Sequence, residues 1–430
     1  MIEIDKLQRK EIKMEITKNP TLIEDSIIFQ DEDGTFVYSQ NQKKVSWVKN
    51  WNDTAYQKLK ENGFFSPFAK AITNPENRRF LNFMLLLGRG CPLRCCYCYA
   101  NAGVTRELMS KEIADRAILL YLARNPKNPK VTLFGGGEPT LNIHAIKYIV
   151  EKYEKQIQWV LTTCGVVSPT FLEWLIDKGV AITFSVDGPP EIQNLLRPLR
   201  NGGPSSMFVE RSMRMWLDKS GKPLSVRTTL TEDTIDQIDS ILDYFDAFSV
   251  KTIHFECLYN LGRATELVGN GVLRQVSVEK WVETTIKILK WARENKRYIK
   301  IGELSHLLHP GAVSYCGPMC GKTIVVNHEG KLTACSEVVD ERNKEWNLFC
   351  IGDCQSEFRI DEQKLSYLAS RFPDNMALCG GCFAKYLCRG GCPHKGWAAT
   401  NDLFVPDPNH CEFIKKIAPL LIKQMATGNN

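Results

Sequence analysis

Between residues 81 and 300, short apolar runs alternate six times with longer amphipathic stretches, and this limits the fold more than any other feature of the chain. The runs at 81–87, 131–134, 159–163, 181–185, 226–230 and 252–256 have the length and apolar content of strands. Between them, stretches such as 111–124, 170–178 and 207–217 read as helices. Strands separated by helices pair in parallel, so a parallel sheet, curled or open, is expected. Further on, 278–292 places apolar residues at 278, 281, 282, 286, 289 and 292, one face of a helix with Trp281 in its core.

Folds of this kind gather their chemistry at the C-terminal ends of the strands. Cys91-Pro92-Leu93-Arg94-Cys95-Cys96-Tyr97-Cys98 follows the first run at that end. Thiols spaced CxxxCxxC can hold three irons of a cubane cluster and leave the fourth open to a small molecule. The competing interpretation is a zinc knot, but zinc sites pair their thiols as CxxC and this triplet has no local fourth ligand. Using Cys96 in place of Cys95 gives gaps that suit neither pattern, so Cys96 is read as a bystander. Phe134-Gly135-Gly136-Gly137-Glu138-Pro139 follows the second run. Its glycines let the backbone approach a ligand, and Glu138 adds an acceptor suited to an ammonium group. A glycine run alone is also what a tight turn needs; two special loops on one sheet edge argue for one site.

Cysteines crowd together again after 312: Cys316, Cys320 and Cys335, then Cys379, Cys382, Cys388 and Cys392, then Cys411. Eight thiols suffice for two four-iron clusters, and equally for two zinc sites. Residues 1–80 carry no cysteine. Runs at 27–29, 36–38 and 45–48 look like strands around a turn at 31–34, and Asn52-Asp53 offers a helix start with Gly63 as its stop. Such a module packs on the main domain or holds another chain by strand addition.

At 430 residues the chain needs two or three domains. It is 43% hydrophobic and 24% charged, a globular balance, with no run of membrane-helix length. Its N-terminus lacks a secretory pattern, so a cytoplasmic protein with reduced thiols is expected. The net charge of +6 is spread along the chain without basic blocks. That argues against nucleic acid as a partner and is compatible with an acidic peptide.

The triplet with Tyr97 before its last cysteine, followed by Gly-Gly-Glu-Pro at 136–139, resembles the radical S-adenosylmethionine (SAM) enzymes. The later array is similar to the SPASM extension of that family, and together the likeness covers about 81–415. The resemblance implies an α/β chain: a small N-terminal α+β module (1–80), a partial (β/α)6 radical SAM barrel (81–300) and a C-terminal SPASM domain (301–430). It implies three [4Fe-4S] clusters, one of them binding S-adenosyl-L-methionine. Cys91, Cys95 and Cys98 would hold that one; Tyr97 would lie near the adenine, with Gly136, Gly137 and Glu138 at the methionyl amine. Ser185 and Arg197 would contact the ribose and carboxylate. The family pattern gives Cys316, Cys320, Cys335 and Cys392 to one auxiliary cluster, and Cys379, Cys382, Cys388 and Cys411 to the other.

Several positions depart from the family. Relatives carry Thr-Asn-Gly where this chain has Thr163-Cys164-Gly165, and a thiol cannot copy an amide. The sulfatase-maturing branch has an Asp after its third auxiliary cysteine; here Ser336 stands there with Glu337 beyond it, making Glu337 the candidate base. The stretches after Cys98 and Cys382 look more like maturases of ribosomally made peptides. The resemblance therefore points to hydrogen abstraction from a precursor peptide, closing an oxidative cross-link (thioether, C–C or C–O), with flavodoxin or ferredoxin as electron donor. Alternatives are peptide epimerisation, side-chain oxidation in a protein or small molecule, and a zinc-binding structural protein. Cys257, Cys350 and Cys354 remain unassigned: each is an ordinary thiol, a hydrogen donor or, for the last two, a substitute ligand. His306, His309 and His394 are read as packed or surface residues.

Overall fold

A computed structural model describes residues 18–67, 82–304 and 315–427; His306 and His309 lie outside the described residues. Strands β1 (Lys18–Ile23), β2 (Ser26–Asp31), β3 (Gly34–Ser39) and β4 (Lys44–Val48) form an antiparallel meander, followed by helix α1 (Asp53–Glu61). Strand β1 has no counterpart among the expected runs. Its register shifts between Lys18 and Thr21, around Pro20, which suits an edge strand and erases the alternating pattern. Side-chain alternation splits the meander between two cores. Ile27, Phe29, Phe36 and Tyr38 join the main core, while Ile28 and Val37 pack with Leu59, Phe64 and Phe65. Asn52 caps α1 by accepting the Ala55 amide at 2.9 Å.

The six expected strands are β5 (Asn82–Leu86), β6 (Lys130–Phe134), β7 (Gln158–Thr163), β8 (Ala181–Ser185), β9 (Leu224–Leu230) and β10 (Val250–Cys257), parallel and paired in chain order. Helices α2 (Lys111–Leu122), α3 (Ile143–Lys152), α4 (Pro169–Asp177), α5 (Pro190–Leu196), α6 (Ser206–Ser220) and α7 (Ile238–Ala247) lie between them. After β10 come α8 (Arg263–Gly269), α9 (Val278–Glu294) and the parallel edge strand β11 (Tyr298–Ile301). Ser110, Asn142, Ser168 and Ser277 cap their helices with side-chain oxygens. On α9 the expected face shifts: Thr285 and Ile288 are buried, whereas Ile286 and Leu289 are only half-buried. Thr285 supplies a core position that a hydrophobic pattern passes over.

Strand alternation also shapes the hollow. In β9, Leu224, Val226, Thr228 and Leu230 are buried, while Ser225, Arg227 and Thr229 are partly open. The inner surface is therefore polar where an ordinary barrel would be packed with apolar side chains. Strand β5 does not close onto β10, so the barrel is partial. Its free side is taken by β12 (Thr323–Val326), which runs parallel to it with Thr323 opposite Asn82 and Val326 opposite Leu85. Strands β13 (Lys331–Thr333), β14 (Cys350–Asp353) and β15 (Arg359–Ile360) continue the sheet in antiparallel fashion to eleven strands. The C-terminal helix (Pro408–Thr427) packs against α9, β3 and β4. There Lys423 pairs with Asp31, and with Asp33 at 2.9 Å. No helix among the described residues is long and apolar enough to cross a membrane.

Candidate active site

The loop leaving β5 is pinned from two directions. The amides of Arg94 and Cys96 donate to the carbonyls of Pro198 and Leu196 at 2.8 and 2.9 Å, and Arg200 N donates to Pro92 O at 2.8 Å. From α8, Arg263 donates to the carbonyls of Cys95 and Ala102 at 2.6 and 2.7 Å. Held this way, Cys91, Cys95 and Cys98 line a single cleft of about 1250 Å³, open mouth included. Cys96 is not among its lining residues and packs with Leu258, Ala264 and Leu273, as a bystander should. Burial pushes its thiol up to about 12.

Gly136, Gly137 and Glu138 reach the same cleft from the end of β6. At Gly137 a Cβ would lie 2.0 Å from the carbonyl oxygen of Gly90, so the absent side chain lets two loops meet. Glu138 is buried, and its carboxylate accepts the Thr140 amide (3.1 Å) and hydroxyl (2.7 Å), the Thr163 hydroxyl (2.7 Å) and the Cys164 amide (2.6 Å). The residue expected at a methionyl amine is thus also the joint between the ends of β6 and β7. Cys164 lines the cleft together with Cys91, and burial drives its thiol well above the ordinary value.

Tyr97, Ser185 and Arg197 line the cleft as well. Asp187, with 0% exposure, organises Tyr97 and Arg197. It accepts the Tyr97 hydroxyl, Nε of Arg197 at 2.9 Å and the Thr229 amide at 3.0 Å. The Arg197 guanidinium lies 5.2 Å from the Tyr97 ring centroid, with Nη1 4.0 Å from Cys95 Sγ.

The extension completes the wall with Ser336, Glu337 and Lys395. Oε2 of Glu337 lies 2.8 Å from Nδ1 of His394, whose Nε2 is 2.6 Å from Glu345. Burial alone would raise Glu337, but the His394 hydrogen bond and charge, with Lys395, hold it below the carboxylate value. Burial would likewise lower His394; Cys335, Glu337 and Glu345 outweigh it and hold the imidazole above its ordinary value. From the barrel, Arg227 pairs with Glu256 at 3.0 Å, and Nζ of Lys395 stands 3.5 Å from the Tyr259 ring centroid. Cys257 also faces the cleft. As a lone His in the sequence, His394 reads as an ordinary packed or surface residue, and Asp187, Arg227, Glu256, Tyr259, Arg263 and Lys395 carry no signal of spacing. Their roles depend on pairing between distant segments.

Eight further thiols fall into two groups. Cys316 is near enough to Cys335, Cys392 and Cys320 for their charges to interact. Cys388 has the same relation to Cys411, Cys382 and Cys379. Burial raises the thiols of Cys316 and Cys379, and pushes Cys388 to about 12 and Cys392 and Cys411 to about 11. Four thiols gathered in each group are what a metal ion or a four-iron cluster needs. Cys354 packs beside Gly330, with Arg116 and Asp353 as its charged neighbours.

The Radical SAM superfamily model matches residues 85–245. An uncharacterized protein of Methanocaldococcus jannaschii is 31% identical over 310 residues, spanning 71% of this chain and 95% of that protein. A cysteine-type anaerobic sulfatase-maturating enzyme of Clostridium perfringens is 25% identical over 324 residues, 70% of this chain and 86% of its own. Among solved structures, native anSMEcpe with bound AdoMet superposes with a TM-score of 0.62 at 20% identity, covering 80% of this chain and 98% of the other. Streptococcus suis SuiB bound to precursor peptide SuiA gives 0.58 at 12% identity, covering 91% and 99%. The chain belongs to the radical SAM superfamily. It is a radical SAM enzyme, whose family cofactors are a [4Fe-4S] cluster and S-adenosylmethionine, which sets aside the non-catalytic zinc alternative.

Proposed function

We propose that this enzyme matures a ribosomally made precursor peptide by closing an oxidative cross-link (thioether, C–C or C–O) within it. The observation that carries the reading is the shared cleft: Ser336 and Glu337, next to Cys335 of one thiol group, line the space that Cys91, Cys95 and Cys98 face. An electron acceptor bordering the substrate is what an oxidative outcome needs. The Streptococcus suis neighbour, solved with its precursor peptide, supports a peptide substrate.

In this reading Cys91, Cys95 and Cys98 hold the first cluster, and Cys316, Cys320, Cys335 and Cys392, and Cys379, Cys382, Cys388 and Cys411, hold two auxiliary ones. When bound, these groups and S-adenosylmethionine supply a carbon radical that takes a hydrogen atom, and an acceptor for the electron left behind. Tyr97, Gly136, Gly137, Glu138, Ser185 and Arg197 position the methionyl and adenosyl parts. Glu337 takes the proton released as the new bond closes, and His394 holds its carboxylate in the cleft. One hydrogen thus leaves as an atom and one as a proton. Flavodoxin or ferredoxin is the electron source. The parts divide at 1–80, 81–300 and 301–430, the first docking the peptide's leader.

Anaerobic co-expression with the short peptides encoded beside the gene tests this by accurate mass. A product lighter by a pair of hydrogens, with fragmentation blocked between two residues, supports the cross-link; an unchanged mass removes it. A second reading has one observation in its favour. Cys257 lines the cleft, where a thiol could return hydrogen in an epimerisation. That product would have unchanged mass and would take up deuterium from heavy water.

A further inference from the structure

Arg371 is a guanidinium with 3% exposure and, among the described residues, no carboxylate within salt-bridge distance. All three of its hydrogen-bonding nitrogens grip backbone instead. Nε donates to the carbonyl of Leu403, Nη1 to Gly391 at 2.9 Å and Nη2 to Gly390 at 2.7 Å. Gly390 and Gly391 sit between Cys388 and Cys392, whose thiols belong to different groups. Arg389, Gly390 and Gly391 all have positive φ (52°, 76° and 69°), a run that turns the chain sharply between the two.

A buried cation needs an anion close by, and a carboxylate is not what the fold supplies. The groups that act electrostatically on Arg371 are Cys392 and Cys316 of one set and Cys379 and Cys388 of the other. Neutral thiols would leave the guanidinium uncompensated. Thiolates held by iron would neutralise it permanently.

We propose that Arg371 is a positioning residue for the auxiliary pair: it fixes the Cys388–Cys392 crossover by its carbonyls and supplies one buried positive charge to both four-thiol sets. The proposal rests on the reading that those sets hold iron–sulfur clusters. A fixed cation favours the more negative, reduced form of a cluster, so its removal lowers the reduction potential. Because the charge is shared, both potentials fall together.

The test uses the full chain with Cys91, Cys95 and Cys98 replaced by Ala, so that only auxiliary iron reports. Iron and sulfide are measured per chain, and potentials by redox titration followed by electron paramagnetic resonance. Arg371→Gln is expected to lower both auxiliary potentials together, with Arg371→Lys close to the parent. Full iron with parental potentials in Arg371→Gln overturns the proposal. Should Arg371→Gln fail to fold, Arg371→Lys decides, since it keeps the charge but not the planar fork. It is expected to retain the potentials while amide exchange at 389–392 accelerates. Parental exchange there, or potentials that fall despite the retained charge, overturns the proposal. A parent protein that takes zinc and no iron at these sets overturns the cluster reading, and this inference with it.

Discussion

Oε2 of Glu337 and Nδ1 of His394 lie 2.8 Å apart, joining the cleft wall to the buried interior of the extension. If Glu337 is the base, Glu337→Gln will still cleave S-adenosylmethionine while product formation falls by about 10²–10⁴-fold. Deoxyadenosine by chromatography and peptide by mass separate the two steps. A variant that makes product at the parental rate would remove Glu337 from the reaction.

Cys164 shares the cleft wall with Cys91, Cys95 and Cys98, which raises a question of ligation. Replacing Cys91, Cys95 and Cys98 with Ala should abolish deoxyadenosine release and remove about four of about twelve irons. Cys164→Ala should keep all of them and retain cleavage. Loss of the first cluster in Cys164→Ala would make that thiol a ligand and close the open iron.

Asp187 carries the charge that offsets buried Arg197. Asp187→Asn leaves the guanidinium without its partner, and a loss on the order of 3 kcal/mol is expected in urea unfolding. Binding of S-adenosylmethionine, read by calorimetry, should weaken as Tyr97 and Arg197 lose their common anchor. Unaltered affinity would separate Asp187 from the cofactor side of the cleft.

Burial holds His254 down at about 4, against an ordinary 6.5, with the Arg227 charge acting the same way and Glu256 opposing. Between those values the unfolded chain binds a proton that the folded chain refuses. Stability therefore declines as pH falls from 6.5 toward about 4 and stops declining on this account below it. The expected drop is on the order of 1–3 kcal/mol. Urea midpoints across that range should flatten in His254→Gln; an unchanged slope would assign the decline to other groups.

Lys423 and Asp31 tie the C-terminal helix to the N-terminal meander through a buried pair. Lys423→Met strands the carboxylate and should cost about 3 kcal/mol, whereas Lys423→Met with Asp31→Asn should recover much of it. Thermal unfolding of the single and double variants checks this. Equal losses would mean that packing, not charge, sets the cost.

The six barrel strands were legible because each is a compact apolar run with its own helix, and the Cys91–Cys98 loop because its spacing is local. Strand β1 was hidden by Pro20, and the buried face of α9 was blurred by Thr285. The cleft was half-readable. Tyr97, Gly137, Ser185 and Arg197 stand beside recognisable motifs, whereas His394 and Lys395 gain meaning only once the extension folds back on the barrel. The 1–80 segment reads as a separate module, yet Ile27, Phe29, Phe36 and Tyr38 belong to the main core. Removing it would strip the body of part of its interior.

The pairing of β12 with β5 sets an order of events during synthesis. The strand that carries the Cys91–Cys98 loop emerges early from the ribosome, but the neighbour that covers its free edge follows only after the entire barrel. Until then that edge is an open template for wrong partners. The nascent chain must keep the edge soluble while it waits, and the loop of Cys91, Cys95 and Cys98 waits beside it. Truncation anywhere before residue 326 would leave a barrel with an unprotected side, however complete its own strands.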